Sequence, residues 1–231
     1  MKSQKLTKSG RLAISAPFRW ITVSMLIFFI ALGQTDFVRA WIYAGVYISG
    51  ALIHSFILLT RMPELIDARG KVQKGSKKWD TILVTVYFLF AMIIVPLTAG
   101  LDLRFTSFSL SVPSLYAGIA LYVISLFFSI WPMLHNPFFE GTVRIQEERG
   151  HRVVSSGPYN YIRHPGYISM AIGALPMPLA VGSVYALIPA LTMIILVIIR
   201  TYLEDKTLQN ELAGYSEYCK KVRFRLIPYI W

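Results

Sequence analysis

Arg200 and Glu204 stand four residues apart directly after the apolar run Val184 to Ile199, so on a continuing helix they share one face. They can pair with each other or line a polar pocket together. On a surface such a pair adds only about 0.3–0.5 kcal/mol. Shut away from water, loss of one partner costs about 3–5 kcal/mol, because the remaining charge is orphaned. A planar guanidinium beside a carboxylate suits the orientation of an anionic substrate group better than a flexible lysine does.

Earlier in the chain, Gly157-Pro158 marks a turn, and Arg163-His164-Pro165-Gly166-Tyr167 follows. Proline holds the preceding His164 extended and can itself open a helix at the first position. Arg163 and His164 then sit at a helix N-terminus, whose unpaired N–H groups and positive dipole end receive a carboxylate or a phosphate. The plainer reading is a basic helix entrance that touches lipid phosphate.

The elements that carry these residues are apolar. Of 231 residues, 55% are hydrophobic and only 15% charged, which does not match the surface of a soluble domain of this length. The apolar residues lie in runs, and a run of about 20 crosses a hydrocarbon core of roughly 30 Å. Four spans are expected in residues 1–133: Phe18 to Gly33, Trp41 to Leu59, Ile82 to Leu101 and Leu115 to Met133, with Trp20, Trp41, Trp79 and Trp131 near their ends. Lys2, Lys5, Lys8, Arg11 and Arg19 precede the first run as in a signal peptide. No small-residue cleavage site follows before Gln34, so a retained span is expected. Gly45 and Ser49 would let helices approach closely, and His54 in the second span reads as a satisfied bundle residue.

After Pro165, Gly166 to Ala180 is short and interrupted by Pro176 and Pro178, whereas Val184 to Ile199 is unbroken. The expectation is a helical hairpin with one short arm, below a plain full span, and one long arm. The fold class is thus an all-α integral membrane protein, a multi-span bundle with a C-terminal hairpin and a cytoplasmic loop and tail, in a single domain over 1–231. Basic residues cluster in the N-terminal tail, between Arg61 and Lys78, between Arg144 and Arg163, and after Arg200, which places both termini in the cytoplasm by the positive-inside rule. That layout brings residues 134–165 and 200–231 to one side.

The net charge of +11 lies mostly beside the apolar runs, where it meets anionic lipid, so nucleic acid is not an expected partner. Lys220, Lys221, Arg223 and Arg225 would pin the tail to such lipid. The single Cys219 and four scattered histidines have no metal-ligand spacing.

Residues 134–230 resemble the C-terminal catalytic region of isoprenylcysteine carboxyl methyltransferases and phospholipid methyltransferases. The resemblance rests on Gly150-His151-Arg152-Val153, Gly157-Pro158-Tyr159, Arg163-His164-Pro165 with Tyr167, Arg200 with Glu204 and Leu208, and Tyr215, Tyr218 and Pro228. It implies a membrane methyltransferase that uses S-adenosylmethionine and takes a lipophilic or prenylated acceptor. Arg200 and Glu204 would be catalytic. His151, Gly157, Pro158, Tyr159, Arg163, His164, Tyr167 and Asp205 would bind the cofactor, with Arg163 or His164 taking its carboxylate and Tyr159, Tyr161 and Tyr167 covering its adenine or ribose. Where the family often has two adjacent glutamates, this chain has Glu204-Asp205, which keeps the charge and shortens the reach by one methylene. Asn136 would cap backbone or touch the cofactor.

A carboxylate acceptor is ionised at neutral pH and needs no general base, whereas an amine must first lose a proton. Carboxyl O-methylation of an isoprenylcysteine-like acid is the leading expectation. A phospholipid amine N-methyltransferase, an NADPH-dependent sterol-type reductase, and a transporter or scaffold are the alternatives.

Overall fold

The computed structural model describes residues 7–71 and 74–231, so Lys2 and Lys5 of the basic tail lie outside the described residues. α1 (Lys8–Leu32) starts at Thr7, whose hydroxyl accepts the Gly10 N–H, and ends at Gly33 in the left-handed conformation, φ 81°. α2 (Val38–Arg61) returns, and α3 (Pro63–Arg69), opened by proline, turns across the polar end of the bundle. α4 (Lys78–Leu89), a π-helical turn (Phe90–Ile94) and α5 (Val95–Phe105) form one continuous span. Pro96 has no N–H for the Met92 carbonyl; Ser24 of α1 donates toward that oxygen at 3.5 Å. α6 (Pro113–His135) leads into an irregular segment over 136–164, followed by α7 (Pro165–Ile172), α8 (Pro176–Val181), α9 (Leu187–Glu211) and α10 (Tyr215–Lys221).

Among the described residues, five stretches are long and apolar enough to cross a membrane: Lys8–Leu32, Val38–Arg61, Lys78–Phe105, Pro113–His135 and Leu187–Glu211. The chain is a multi-span helical membrane protein. The first covers the expected span except Gly33, which caps it, and starts ten residues earlier; the next three contain the expected spans and extend each by part of a turn or more, because polar ends such as Lys78-Trp79-Asp80 continue the helix beyond the apolar run.

The short arm reaches further than its length suggested. The Gly182 carbonyl, just past α8, accepts the Leu110 N–H (2.8 Å), and Arg39 at the start of α2 donates to the Ala180 (2.8 Å) and Leu179 (3.0 Å) carbonyls. α7 and α8 therefore traverse the bundle from the polar end to the far end. Their break at 173–175 lies against the cavity, with Gly173 exposed and Ala174 buried, and non-helical backbone finds partners there. Tyr87 donates to the Met170 carbonyl (2.8 Å), and Ser125 donates to that of Ser169 (3.0 Å). With six traversals, Thr7 and Glu211 lie at the same end, tied by Thr7 to Asp67 of α3 and by Lys77 to Glu211.

Small residues set the closest approaches. A Cβ on Gly118 would stand 2.7 Å from the Pro176 carbonyl oxygen, and one on Gly100 would stand 2.5 Å from that of Phe28, so α6 meets α8 and α5 meets α1 backbone to backbone. Gly45 and Ser49 do not serve this purpose: a Cβ on Gly45 would touch nothing within 4 Å, and Ser49 donates to its own helix.

Candidate functional site

At the polar end the 136–164 segment, α3, the start of α4, the end of α9 and the tail converge on a cavity of about 900 Å³. Its upper wall includes Glu140, Gln146, His151, Tyr159, Arg163, His164, Tyr167, Arg200, Glu204, Leu208, Tyr215 and Tyr218. It continues downward between α1, α2, α4 and α6 past Ile14, Tyr43, Tyr47, Leu58, Tyr87, Tyr122 and Met133. Polar groups stand at its mouth and apolar walls lie behind.

Arg200 faces this cavity, held by a partner that the spacing did not reveal. Its Nε donates to Asp80 Oδ1 (2.6 Å), and its Nη2 donates to Asp80 Oδ2 (3.2 Å) and to the Gly141 carbonyl (2.9 Å). Asp80 Oδ2 also accepts the Val143 N–H (2.7 Å), so one fully buried carboxylate fixes both the guanidinium and the loop beside it. The remaining Nη1 edge meets only the Met170 sulfur, at 3.5 Å, and the guanidinium lies 4.9 Å from the centre of the Tyr167 ring. Glu204 does not pair with Arg200; Tyr167 donates its hydroxyl to Glu204 Oε2. The two carboxylates therefore divide the work: Asp80 anchors the arginine, and Glu204 is held toward the cavity by a tyrosine.

Asp205 lies behind the wall, fully buried. It accepts from Arg163 Nε (2.7 Å) and Nη2 (3.0 Å), Gln209 Nε2 (2.8 Å), Arg225 Nε (2.9 Å) and the Tyr215 hydroxyl (3.1 Å), and its Oδ1 is 3.1 Å from His164 Nε2. The remaining bonds of Arg163 go to the Val222 and Arg223 carbonyls, and the Arg163 and His164 N–H groups go to the Phe224 and Arg225 carbonyls. Burial alone would lower the Arg163 pKa, but the Asp205 carboxylate raises it above the ordinary value. Most of the donors expected to await a ligand carboxylate are thus engaged within the chain. Arg225 likewise turns inward rather than toward lipid.

His151, Tyr159, Arg163, His164, Tyr167, Arg200 and Glu204 come together on the cavity wall, whereas Gly157, Pro158 and Asp205 do not line it. Gly157 has φ +58°, and a Cβ there would stand 2.4 Å from the His135 ring. Its turn sets Tyr159, whose hydroxyl accepts from Asn136 (3.2 Å) and whose carbonyl accepts the Tyr218 hydroxyl (2.6 Å). Burial raises the Tyr159 pKa above the ordinary phenol value. Asn136 also accepts the Phe138 N–H, a local cap. Tyr161 departs from expectation: it is 66% exposed and turned away from the cavity.

The His151 ring lies tilted against that of Phe138, centroids 4.7 Å apart, and its Nδ1 accepts the Gln146 N–H (3.4 Å), which leaves the proton of the neutral ring on Nε2. Burial lowers its pKa; Arg144 and Arg149 act in the same direction, against Glu140 and Glu148. His54 lines the cavity with Nε2 at 3.3 Å from Ser129 Oγ.

Two comparisons bear on this arrangement. Residues 118–210, from within α6 to the end of α9, match the isoprenylcysteine carboxyl methyltransferase (ICMT) family. A Delta(14)-sterol reductase of Mus musculus is 30% identical over 100 residues, which is 42% of this chain and 24% of the reductase. The chain thus covers about a quarter of the length of that relative.

Proposed function

Residues 118–210 are related to the isoprenylcysteine carboxyl methyltransferase family, and from that relationship we propose that the chain is an S-adenosylmethionine-dependent enzyme that esterifies the carboxylate of a lipophilic, isoprenylcysteine-like acid. The supporting observation is the continuity of one cavity from Arg200, Glu204 and Tyr167 at the polar end to the apolar chamber behind them.

S-adenosylmethionine supplies a methyl group on a cationic sulfur that leaves as a neutral thioether, so transfer to a carboxylate needs no base. The residues suit such a molecule. Glu204, with one oxygen held by Tyr167, offers a counter-charge to a cation. Tyr159, Tyr167 and His151 supply aromatic faces and a donor on the same wall. The cavity, about 900 Å³, is at the large end of ligand pockets, so it has room for a cofactor and an acceptor head together.

Arg200, locked on Asp80, offers its Nη1 edge to the acceptor carboxylate and fixes the direction from which that oxygen approaches. Arg163 and His164 act as positioning residues: through Asp205 they hold α7, α9 and the tail in register. The apolar chamber takes the lipid chain and excludes water from the reacting groups. The positive-inside bias assigns the polar end to the cytoplasmic face.

The test is calorimetric binding of S-adenosylmethionine and its demethylated product to nanodisc-held protein, with transfer of a radiolabelled methyl group to a prenylated thioether acid. Binding and transfer are expected; folded protein that binds neither compound sinks the reading. The likeness to a sterol reductase favours one alternative, and NADPH binding with sterol reduction in the same preparation would replace the methyltransferase reading.

A further inference from the structure

Arg69, the last residue of α3, is a cation on the cavity wall without a counter-ion. Its Nη1 donates to the Phe139 carbonyl (3.0 Å), and its guanidinium lies 5.6 Å from the centre of the Phe139 ring. Among the described residues it enters no ion pair. The neighbouring carboxylates are engaged elsewhere: Glu140 with Arg144 (2.8 Å) and Arg149 (3.5 Å), Asp80 with Arg200, and Asp67 with Thr7. Burial pushes Arg69 down to about 10, with the like charge of Arg200 acting in the same direction and Glu140 opposing, so it remains protonated at neutral pH. Both guanidiniums line the same cavity, and with Asp80 offsetting Arg200 the pair keeps one positive charge that an anion can balance.

The surroundings give that anion a shape. Ile66, one turn before Arg69 on α3, packs with Leu58 and Met133, and Ile14 of α1 covers them; all four line the cavity. A head group at Arg69 would thus continue directly into apolar wall.

We propose that Arg69 joins Arg200 in receiving the anionic head of the acceptor, as a second cation on its carboxylate. The assignment rests on the methyltransferase reading of this cavity. Asp80 already offsets Arg200, so the pair keeps one positive charge, which an ammonium head would add to and a carboxylate would balance.

The experiment titrates a long-chain S-alkyl N-acetylcysteine, its methyl ester and an alkyl phosphate of equal chain length into nanodisc-held protein without S-adenosylmethionine. Wild type is expected to prefer the acid to the ester by about tenfold or more, the scale of a charge-assisted bond. Arg69→Gln should reduce that preference to within about threefold and raise KM for the acid more than it lowers kcat. Arg69→Lys, which keeps the charge and tests the assignment even if the glutamine variant fails to fold, should retain an intermediate preference. S-adenosylmethionine affinity should not change in either variant. Equal binding of acid and ester by wild type, an undiminished preference in folded Arg69→Gln, or binding of the alkyl phosphate alone overturns the assignment. If S-adenosylmethionine fails to bind while the acid preference and its dependence on Arg69 persist, the methyltransferase reading falls and the anion site stands.

Discussion

Asp80 and Asp205 are both fully buried, yet they hold different things. Asp80 carries one arginine that faces the cavity; Asp205, behind the wall, carries Arg163 and His164 of the wall and Arg225 of the tail. Asp80→Asn keeps the shape and removes the charge, leaving Arg200 without a counter-ion. Methyl transfer is expected to fall at least about tenfold while S-adenosylmethionine affinity changes less than about threefold, a split read from kcat/KM and calorimetry. Asp205→Asn should instead act on folding, lowering stability by about 3–5 kcal/mol in a denaturant melt, because buried Arg163 and half-buried Arg225 are left together without a carboxylate. His151 adds a dependence on pH. Its folded pKa lies below the ordinary histidine value, so its share of stability is complete above the unfolded pKa, about 6.5, and is lost as pH falls through the folded one. Melting temperatures at neutral and acid pH should therefore differ more for wild type than for His151→Gln, and identical differences would remove this role.

At the scale of elements, backbone approach and turn geometry set the site. Gly157→Ala combines a left-handed backbone with a methyl 2.4 Å from the His135 ring, so the turn that sets Tyr159 must shift. Stability should fall by about 1–3 kcal/mol, measured by thermal melting, with weaker S-adenosylmethionine binding alongside. The spans themselves were legible in the sequence, because a run of apolar residues long enough to cross a bilayer has few other solutions. The helical stretch bearing Arg200 and Glu204 was legible for the same reason. What they touch was not. Asp80 is far from Arg200 in the chain, and nothing in its surroundings in sequence marks a partner; its one local signal is an acidic residue at the very start of an apolar span. Arg163 and His164 read as open donors because their partners, Asp205 and the carbonyls of 222–225, come from a helix and a tail whose return to the loop no local pattern encodes. The short arm was underread because its length was weighed as one straight helix, while the break at 173–175 lets it cover more distance per residue.

For the molecule as a whole, the two ends of the bundle differ in kind. The polar end carries α3, the 136–164 segment and the tail. The far end is closed by Arg39, which donates to the Leu110, Leu179 and Ala180 carbonyls and to Ser114, and by Asp102, which accepts from Ser183 and the Tyr185 N–H. In a Cys219→Ser background, an impermeant maleimide should label Lys8→Cys and Ser216→Cys from one side of sealed vesicles and Ser107→Cys only from the other. Labelling of Lys8→Cys and Ser216→Cys from opposite sides would contradict the six traversals. The cavity descends past Tyr43 and Tyr87 but includes none of the residues of the Arg39 layer. A molecule admitted at one interface therefore has no passage to the opposite one. Under the proposed function, a lipid converted there would return to the leaflet it came from, and a bilayer with unlike leaflets would keep that asymmetry through every turnover.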